Sequence, residues 1–192
     1  MTEPAGILGF WFGGDLAAWQ EERWFRPDPA FDAACRERFG HCLDDARGGA
    51  FDAWAATPEG ALALLLLLDQ LPRNLHRGTP AAFAADAQAR ALARRAVLRD
   101  RHDLALPCTA RCFLYLPFEH SEDMADQDLS VALFEGLRDD PVHAAPGGSI
   151  AHAWAHRAVI RRFGRFPHRN AILGRASTPA ERACLAEPGA GF

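Results

Sequence analysis

Apolar residues recur at helical spacing through most of this chain. Between residues 29 and 46, Phe31, Cys35 and Phe39 follow one another at steps of four, which places them on one buried helix face. Residues 58 to 71 are apolar nearly all round, and in a helix of this length that pattern indicates packing on several sides. The pattern therefore predicts helices, with the 58–71 segment at the centre of the core.

Proline preceded by a capping residue marks four predicted helix starts. Proline is tolerated at the first helical position because its missing N–H has no intrahelical partner there, and a preceding Asp or Thr can cap the free amides. The four pairs are Asp28-Pro29, Thr57-Pro58, Thr79-Pro80 and Thr178-Pro179. Glu181 follows Thr178 at the spacing of a capping box, which adds a second signal at the last start.

Four further segments complete the predicted secondary structure. Helices are predicted over residues 80–99, 109–115, 126–137 and 149–163. The first of these is expected to be peripheral, with Asp86 on a solvent face. Pro117 is expected to end the second helix and Gly164 the last. Residues 139–148, with two prolines and two glycines, are expected to form a loop.

Length and composition narrow the class of protein. The chain of 192 residues is 49% apolar and 24% charged, which predicts one globular, all-α domain over residues 1–192. The short apolar run 7–12 suits either a strand or a first buried helix. The longest apolar run, 61–68, is far shorter than the roughly 20 residues of a membrane span. No membrane contact and a cytoplasmic location are expected, because the start also lacks the basic region of a signal peptide.

Charge and cysteine usage argue against several classes of partner. A net charge of −4 is unfavourable for binding nucleic acid, whose phosphates need a basic surface. Five cysteines without a Cys-x-x-Cys favour buried thiols over disulfides or a zinc site. His152 and His156 are four residues apart but lack a third ligand at defined spacing. No metal site and no cofactor are expected.

The first of three polar stretches follows the most apolar helix and contains Asp69, Arg73 and Asn74. A carboxylate in this position is expected to be poorly solvated, and burying an unpaired charge costs several kcal/mol. Asp69 is therefore predicted to have a partner, and arginine is the best fit because its planar fork satisfies both oxygens.

The second polar stretch contains His120 and Glu122 just after Pro117. A neighbouring carboxylate orients an imidazole and raises its pKa, which prepares a general base or a metal ligand. Alternatively, Glu122 and Asp123 only cap the next helix, because acids near a helix N-terminus favour its dipole.

The third polar stretch interleaves arginines with phenylalanines and contains Arg165, His168 and Arg169. This combination suits carboxylate or phosphate binding. The 150–175 segment has six arginines and no carboxylate, whereas the 119–128 segment has five carboxylates and no arginine. Structural salt bridges between these two segments are the alternative to a ligand site.

Several unusual motifs occur along the chain, three of them at the polar stretches. They are Phe10–Gly13, Leu68–Asn74, Pro117–Glu122, Arg162–Asn170 and Leu173–Arg175. Together they resemble the bacterial family called domain of unknown function 924, nearly end to end. The resemblance implies a tetratricopeptide-like array of antiparallel helices and implies no established activity. Where the family motif often has methionine before the histidine, this chain has Glu119.

The preferred hypothesis is that these helix ends meet at one polar pocket for a small anionic molecule. If the pocket is catalytic, His120 and Glu122 are the predicted acid–base pair. The predicted ligand-binding residues are Asp69, Arg73, Asn74, Arg165, His168 and Arg169. One alternative is a tetratricopeptide-like module that binds a peptide or protein. Another is a buried ion-pair network without a ligand.

Overall fold

Helices form the regular structure of residues 2–187, the part of the chain that the computed structural model describes. In chain order they are α1 (Pro4–Phe12), α2 (Glu21–Phe25), α3 (Pro29–Phe39), α4 (Leu43–Arg47), α5 (Pro58–Leu65), α6 (Leu71–Leu75), α7 (Asp86–Arg94), α8 (Cys108–Glu119), α9 (Met124–Glu135), α10 (Pro141–Ala144), α11 (Ser149–Phe163) and α12 (Pro179–Leu185). Short 3₁₀ turns link several of them, and no strand occurs among these residues. The prediction of an all-α fold is confirmed, and the 7–12 run is helical.

Local capping explains where several of these helices begin. The Asp28 carboxylate accepts hydrogen bonds from Ala30 N and Phe31 N at the start of α3, and the Thr57 hydroxyl accepts from Gly60 N in α5. Thr178 forms the predicted capping box of α12. These three starts are confirmed. At the fourth pair the Thr79 hydroxyl donates to a carbonyl instead, and a 3₁₀ helix begins at Pro80.

The central apolar segment is one nearly continuous helix. Helix α5 continues through a π-helical turn, Leu66–Gln70, directly into α6, and every residue of that turn is buried. Within the turn Leu71 N donates to Leu66 O, five residues earlier. The wider turn makes room for Pro72, which has no amide hydrogen and whose ring would clash with the carbonyl four residues before it. Asp69 lies in this widened turn.

Several boundaries differ from the predicted ones; the 29–46 segment, for example, divides into α3 and α4. Helix α8 does not end before Pro117 but continues to Glu119, because the proline is buried in the last turn, where its missing amide costs only one hydrogen bond. The predicted 139–148 loop contains α10, whose N-terminus is capped by the Asp140 carboxylate on Val142 N. Asp123 caps α9 in the same way.

The helices pack around one hydrophobic core. Helix α1 packs on α5, α7 on α5 and α8, α9 on α8, and α11 on α9. Buried apolar side chains run continuously from Ile7 in α1 to Ala153 in α11. Within residues 2–187 no helix combines the length and the apolarity needed to cross a bilayer. This packing brings the ends of α5, α6 and α8, the start of α7 and the turn Pro167–Arg169 close together.

Candidate functional site

Asp69 is the centre of a buried group of charged side chains. It is 1% exposed, and its carboxylate accepts hydrogen bonds from Gln70 Nε2 and His120 Nδ1, the latter at 2.8 Å. Arg73 Nη1 lies 3.1 Å from Oδ1, so the predicted arginine partner is confirmed. Burial raises the pKa of Asp69, but the charge of Arg73 and the bonds from His120 and Gln70 outweigh burial and hold this pKa well below its usual range.

The bond to Asp69 determines the tautomer of His120. Because a carboxylate only accepts, Nδ1 carries the proton and donates, which leaves a lone pair on Nε2. Burial and the charge of Arg73 lower the pKa of His120, so the imidazole is neutral at pH 7. Its side chain is 14% exposed. A neutral imidazole held in this tautomer has the geometry that a general base requires.

Asp86 joins two arginines at the start of α7. Its carboxylate oxygens lie 3.0 and 3.1 Å from Arg73 Nη2, and Oδ2 lies 3.5 Å from Arg169 Nη1. Both guanidinium groups also lie over the ring of Phe83, at 5.8 Å for Arg73 and 4.7 Å for Arg169. Burial raises the pKa of Asp86 despite the neighbouring arginines. The expectation that Asp86 lies on a solvent face is wrong, because α7 packs this end against the central helix.

Arg169 is buried without a full set of partners. Its side chain is 8% exposed, and its guanidinium lies 4.7 Å from the ring centres of both Phe83 and Phe166. Among the described residues its Nε is buried without a hydrogen-bond partner, and its one ion pair is the long contact to Asp86. Burial, followed by the charge of Arg73, lowers the pKa of Arg169 to about 10.

A second buried pair, Glu119 and His156, lies at the end of α8. His156 Nδ1 is 3.3 Å from Glu119 Oε1 and also donates to His152 O at 2.9 Å. Burial, followed by the charge of Asp69, raises the pKa of Glu119 to about 8, and burial lowers the pKa of His156 to about 3. Glu119 is therefore mostly protonated and His156 neutral at pH 7. Within residues 2–187 no group of three or more His, Cys, Asp or Glu has the arrangement of a metal site.

Glu122 does not orient His120, so the expected contact between these two side chains is wrong, whereas the acid–base role of His120 stays a prediction. Both Glu122 oxygens accept from Arg175, at 2.7 and 2.9 Å, and Oε1 also accepts from Phe166 N at 2.7 Å. The physical reason is the distant chain segment around Arg175, which supplies a stronger, bidentate partner than the imidazole two residues away. Asp69 takes the orienting role instead.

The remaining predicted residues divide between the site and its surroundings. His168 lies beside Phe166, with ring centres 5.5 Å apart, and burial together with the charge of Arg169 lowers the pKa of His168 to about 4. Asn74 donates to Asp32 at 2.7 Å. The structure therefore keeps His168 near Arg169, whereas Asn74 bonds to helix α3.

Arg165 also bonds away from the Asp69 group. It donates to both oxygens of Glu181 in α12, at 2.6 and 2.8 Å, and these two residues line an open groove between α11 and α12. The expected salt bridges between the acidic and basic segments are confirmed by the pairs Glu122–Arg175 and Asp128–Arg157. The structure thus brings together Asp69, Arg73, His120 and Arg169, but not Arg165.

Fold and site together define an all-helical protein with a buried group of carboxylates, histidines and arginines. The chain belongs to the family described as bacterial protein of unknown function (DUF924), whose sequence profile matches residues 7–189. It is similar to a solved protein of unknown function from Agrobacterium tumefaciens, with 40% identity and a TM-score of 0.85 over 95% of this chain and 96% of that one. No functionally curated protein matches at a significant level.

Proposed function

We propose that the Asp69 group binds a small molecule through an anionic head group and performs acid–base chemistry on it. The observation that carries this proposal is the state of Arg169. Its cation is buried, its Nε has no hydrogen-bond partner among the described residues, and its closest carboxylate oxygen is 3.5 Å away. A bound anion would complete its coordination.

Energetics support an anion at this place. Burying an arginine without a well-bonded counterion costs on the order of several kcal/mol, and two aromatic contacts compensate only part of that cost, at about 0.5–2 kcal/mol each. A carboxylate or phosphate oxygen bonded to Nε would supply the missing charge-assisted bond. The partial exposure of Arg73 and His120, 18% and 14% of their side chains, gives a ligand a route to the group.

The chemistry follows from His120. Its Nε2 lone pair accepts a proton from the bound ligand, and Asp69 then stabilises the imidazolium through the 2.8 Å bond at Nδ1. Arg73 keeps the Asp69 carboxylate ionised and in place. In this proposal His120 is the base, Asp69 the positioning residue and Arg169 the anion-binding residue.

Arg169→Leu, with Arg157→Leu as the matched control, tests the binding role. Arg157 also lies over an aromatic ring, 5.6 Å from that of Trp154, and also has an aspartate partner, but it is outside the group. A thermal-shift screen with small carboxylates and phosphates at constant ionic strength should raise the Tm of the wild type and of Arg157→Leu, but not of Arg169→Leu. Equal responses of both variants, or no response of the wild type, would favour a purely structural ion-pair network.

The architecture and location belong to the same proposal. We propose a tetratricopeptide-like helical array, supported by the successive packing of α7 on α8 and of α8 on α9.

A cytoplasmic location is supported by the unpaired cysteines, among them the buried Cys35, Cys42 and Cys112, because thiols persist in a reducing compartment. Fractionation of cells that express the full chain checks the location.

A further inference from the structure

We infer that the anion bound at Arg169 is a monocarboxylate rather than a phosphate, and that Asp86 is the residue that determines this preference. The inference rests on the proposed function and narrows its ligand class. It is based on one arrangement. The Asp86 carboxylate lies between Arg73 and Arg169 and occupies space that a ligand would otherwise fill.

The two arginines have different capacity left for a ligand. Arg73 uses Nη1 for the backbone carbonyl of Asp69, at 2.6 Å, and Nη2 for Asp86. Arg169 contacts Asp86 only through Nη1, at 3.5 Å. Free bonding capacity is therefore concentrated on the fork of Arg169, which matches the two oxygens of one carboxylate.

Charge balance favours a single negative charge. Asp69 and Asp86 together carry two negative charges, and Arg73 and Arg169 carry two positive ones, so the four groups sum to zero. A monocarboxylate adds one negative charge to this balanced set, and His120 stays neutral. A phosphate dianion adds two negative charges, so it is repelled more strongly by the carboxylate of Asp86.

Among the described residues, the ion pairs of Asp69 and Asp86 involve no arginine other than Arg73 and Arg169. Arg175 is bound by both oxygens of Glu122, and Glu119 contributes a carboxyl group that burial keeps largely protonated at pH 7. The rings of Phe83 and Phe166 flank the Arg169 guanidinium at 4.7 Å, and aromatic walls favour a flat carboxylate with an apolar body over a strongly hydrated tetrahedral ion.

The test compares wild type, Asp86→Asn and Asp86→Glu. Asparagine keeps the size of the side chain and removes its charge, whereas glutamate keeps the charge. Dissociation constants for benzoate, acetate, inorganic phosphate and sulfate are measured by calorimetry or thermal-shift titration, at about pH 8 and constant ionic strength. In the wild type, phosphate and sulfate should bind roughly tenfold or more weakly than the better carboxylate, because about 1.4 kcal/mol of unbalanced repulsion suffices for that ratio. Asp86→Asn should reduce or reverse the ratio, and Asp86→Glu should keep it.

The possible outcomes separate this inference from the proposed function. Phosphate binding to the wild type as tightly as carboxylate overturns the inference and leaves the anion site standing. An unchanged ratio in folded Asp86→Asn overturns the role of Asp86. If Asp86→Asn does not fold, the ratio of the wild-type dissociation constants for phosphate and carboxylate still determines the ligand class. In that case, loss of the carboxylate preference in Asp86→Glu would show that the charge of Asp86 is not its cause. If neither class of anion binds wild type or either variant, the proposed function fails and the inference fails with it.

Discussion

Replacing Asp69 by asparagine removes one buried charge and keeps the shape of the side chain. The carboxylate is 1% exposed and is bonded by Arg73, His120 and Gln70. Breaking a buried pair by removing one partner costs about 3–5 kcal/mol. We expect the low end, about 3 kcal/mol, because Arg73 keeps its second carboxylate partner, Asp86.

Urea and thermal unfolding measure this cost against a matched control. In a protein of this size about 3 kcal/mol corresponds to a fall in Tm of roughly 6–12 °C. Asp128→Asn is the control, because Asp128 is also paired with an arginine but its side chain is 56% exposed. Exposed pairs contribute about 0–1 kcal/mol. A cost for Asp69→Asn no larger than that for Asp128→Asn would refute the stabilising role of the buried group.

The pH dependence of the same variant gives a second check with a definite sign. The pKa of Asp69 is lowered in the folded protein, so its ionised form contributes stability above the unfolded pKa of about 3.9. That contribution is lost as the pH falls from about 4 toward the lower folded pKa. The difference in unfolding free energy between wild type and Asp69→Asn should therefore be largest above about pH 5 and shrink in acid. A difference that stays constant from about pH 7 to pH 3 would contradict this account.

Three further predictions concern stability. Gly60→Ala should destabilise the protein by about 1–3 kcal/mol, because the new Cβ would lie 2.1 Å from Trp54 O. Gly6→Ala in α1 has nothing within 4 Å of its new Cβ and should stabilise the protein by up to about 1 kcal/mol. Urea denaturation measures the unfolding free energy of both variants, and equal changes would contradict the packing argument. Because the pKa of Glu119 is raised to about 8, the folded protein holds a proton on this carboxyl group that the unfolded chain releases. Wild-type stability should therefore fall as the pH rises from about 5 to 8, by up to about 1.4 kcal/mol per pH unit from this group. Glu119→Gln should lack that loss, and parallel pH profiles of the two proteins would disprove it.

Local signals predicted most helices and failed where long-range packing decides. The Asp28 and Thr57 caps act on amides two or three residues away, so a sequence pattern can reveal them. Proline is typical of a helix end, but at Pro117 burial of the ring in the core outweighs one lost hydrogen bond. The sequence pattern misses helix α10 because the prolines and glycines of the 139–148 segment are typical of a loop, although Asp140 and Pro141 form a capped start like the others.

Part of the site could also be predicted from signals that act over only a few residues. The pairing of Asp69 with Arg73 spans four residues of one helical turn, and the cost of burying a lone carboxylate required such a partner. The partners of His120 and Arg169 lie far along the chain, at Asp69 and Asp86. No local pattern relates such positions, and the α7 segment is polar enough to suit an exposed surface although Asp86 is largely buried.

By itself, the amino-acid sequence determined the helical class, several helix starts, the central apolar helix and the three chain segments that carry the charged groups. These features follow from hydrogen bonds and apolar spacing within a few turns, where the distance along the chain is also the distance in space. Only the tertiary structure decided which carboxylate faces which cation. A buried charge takes whichever partner the packing of distant helices brings to it, and this choice assigned Asp69 to His120, Arg175 to Glu122, and left Arg169 with an incomplete set of bonds.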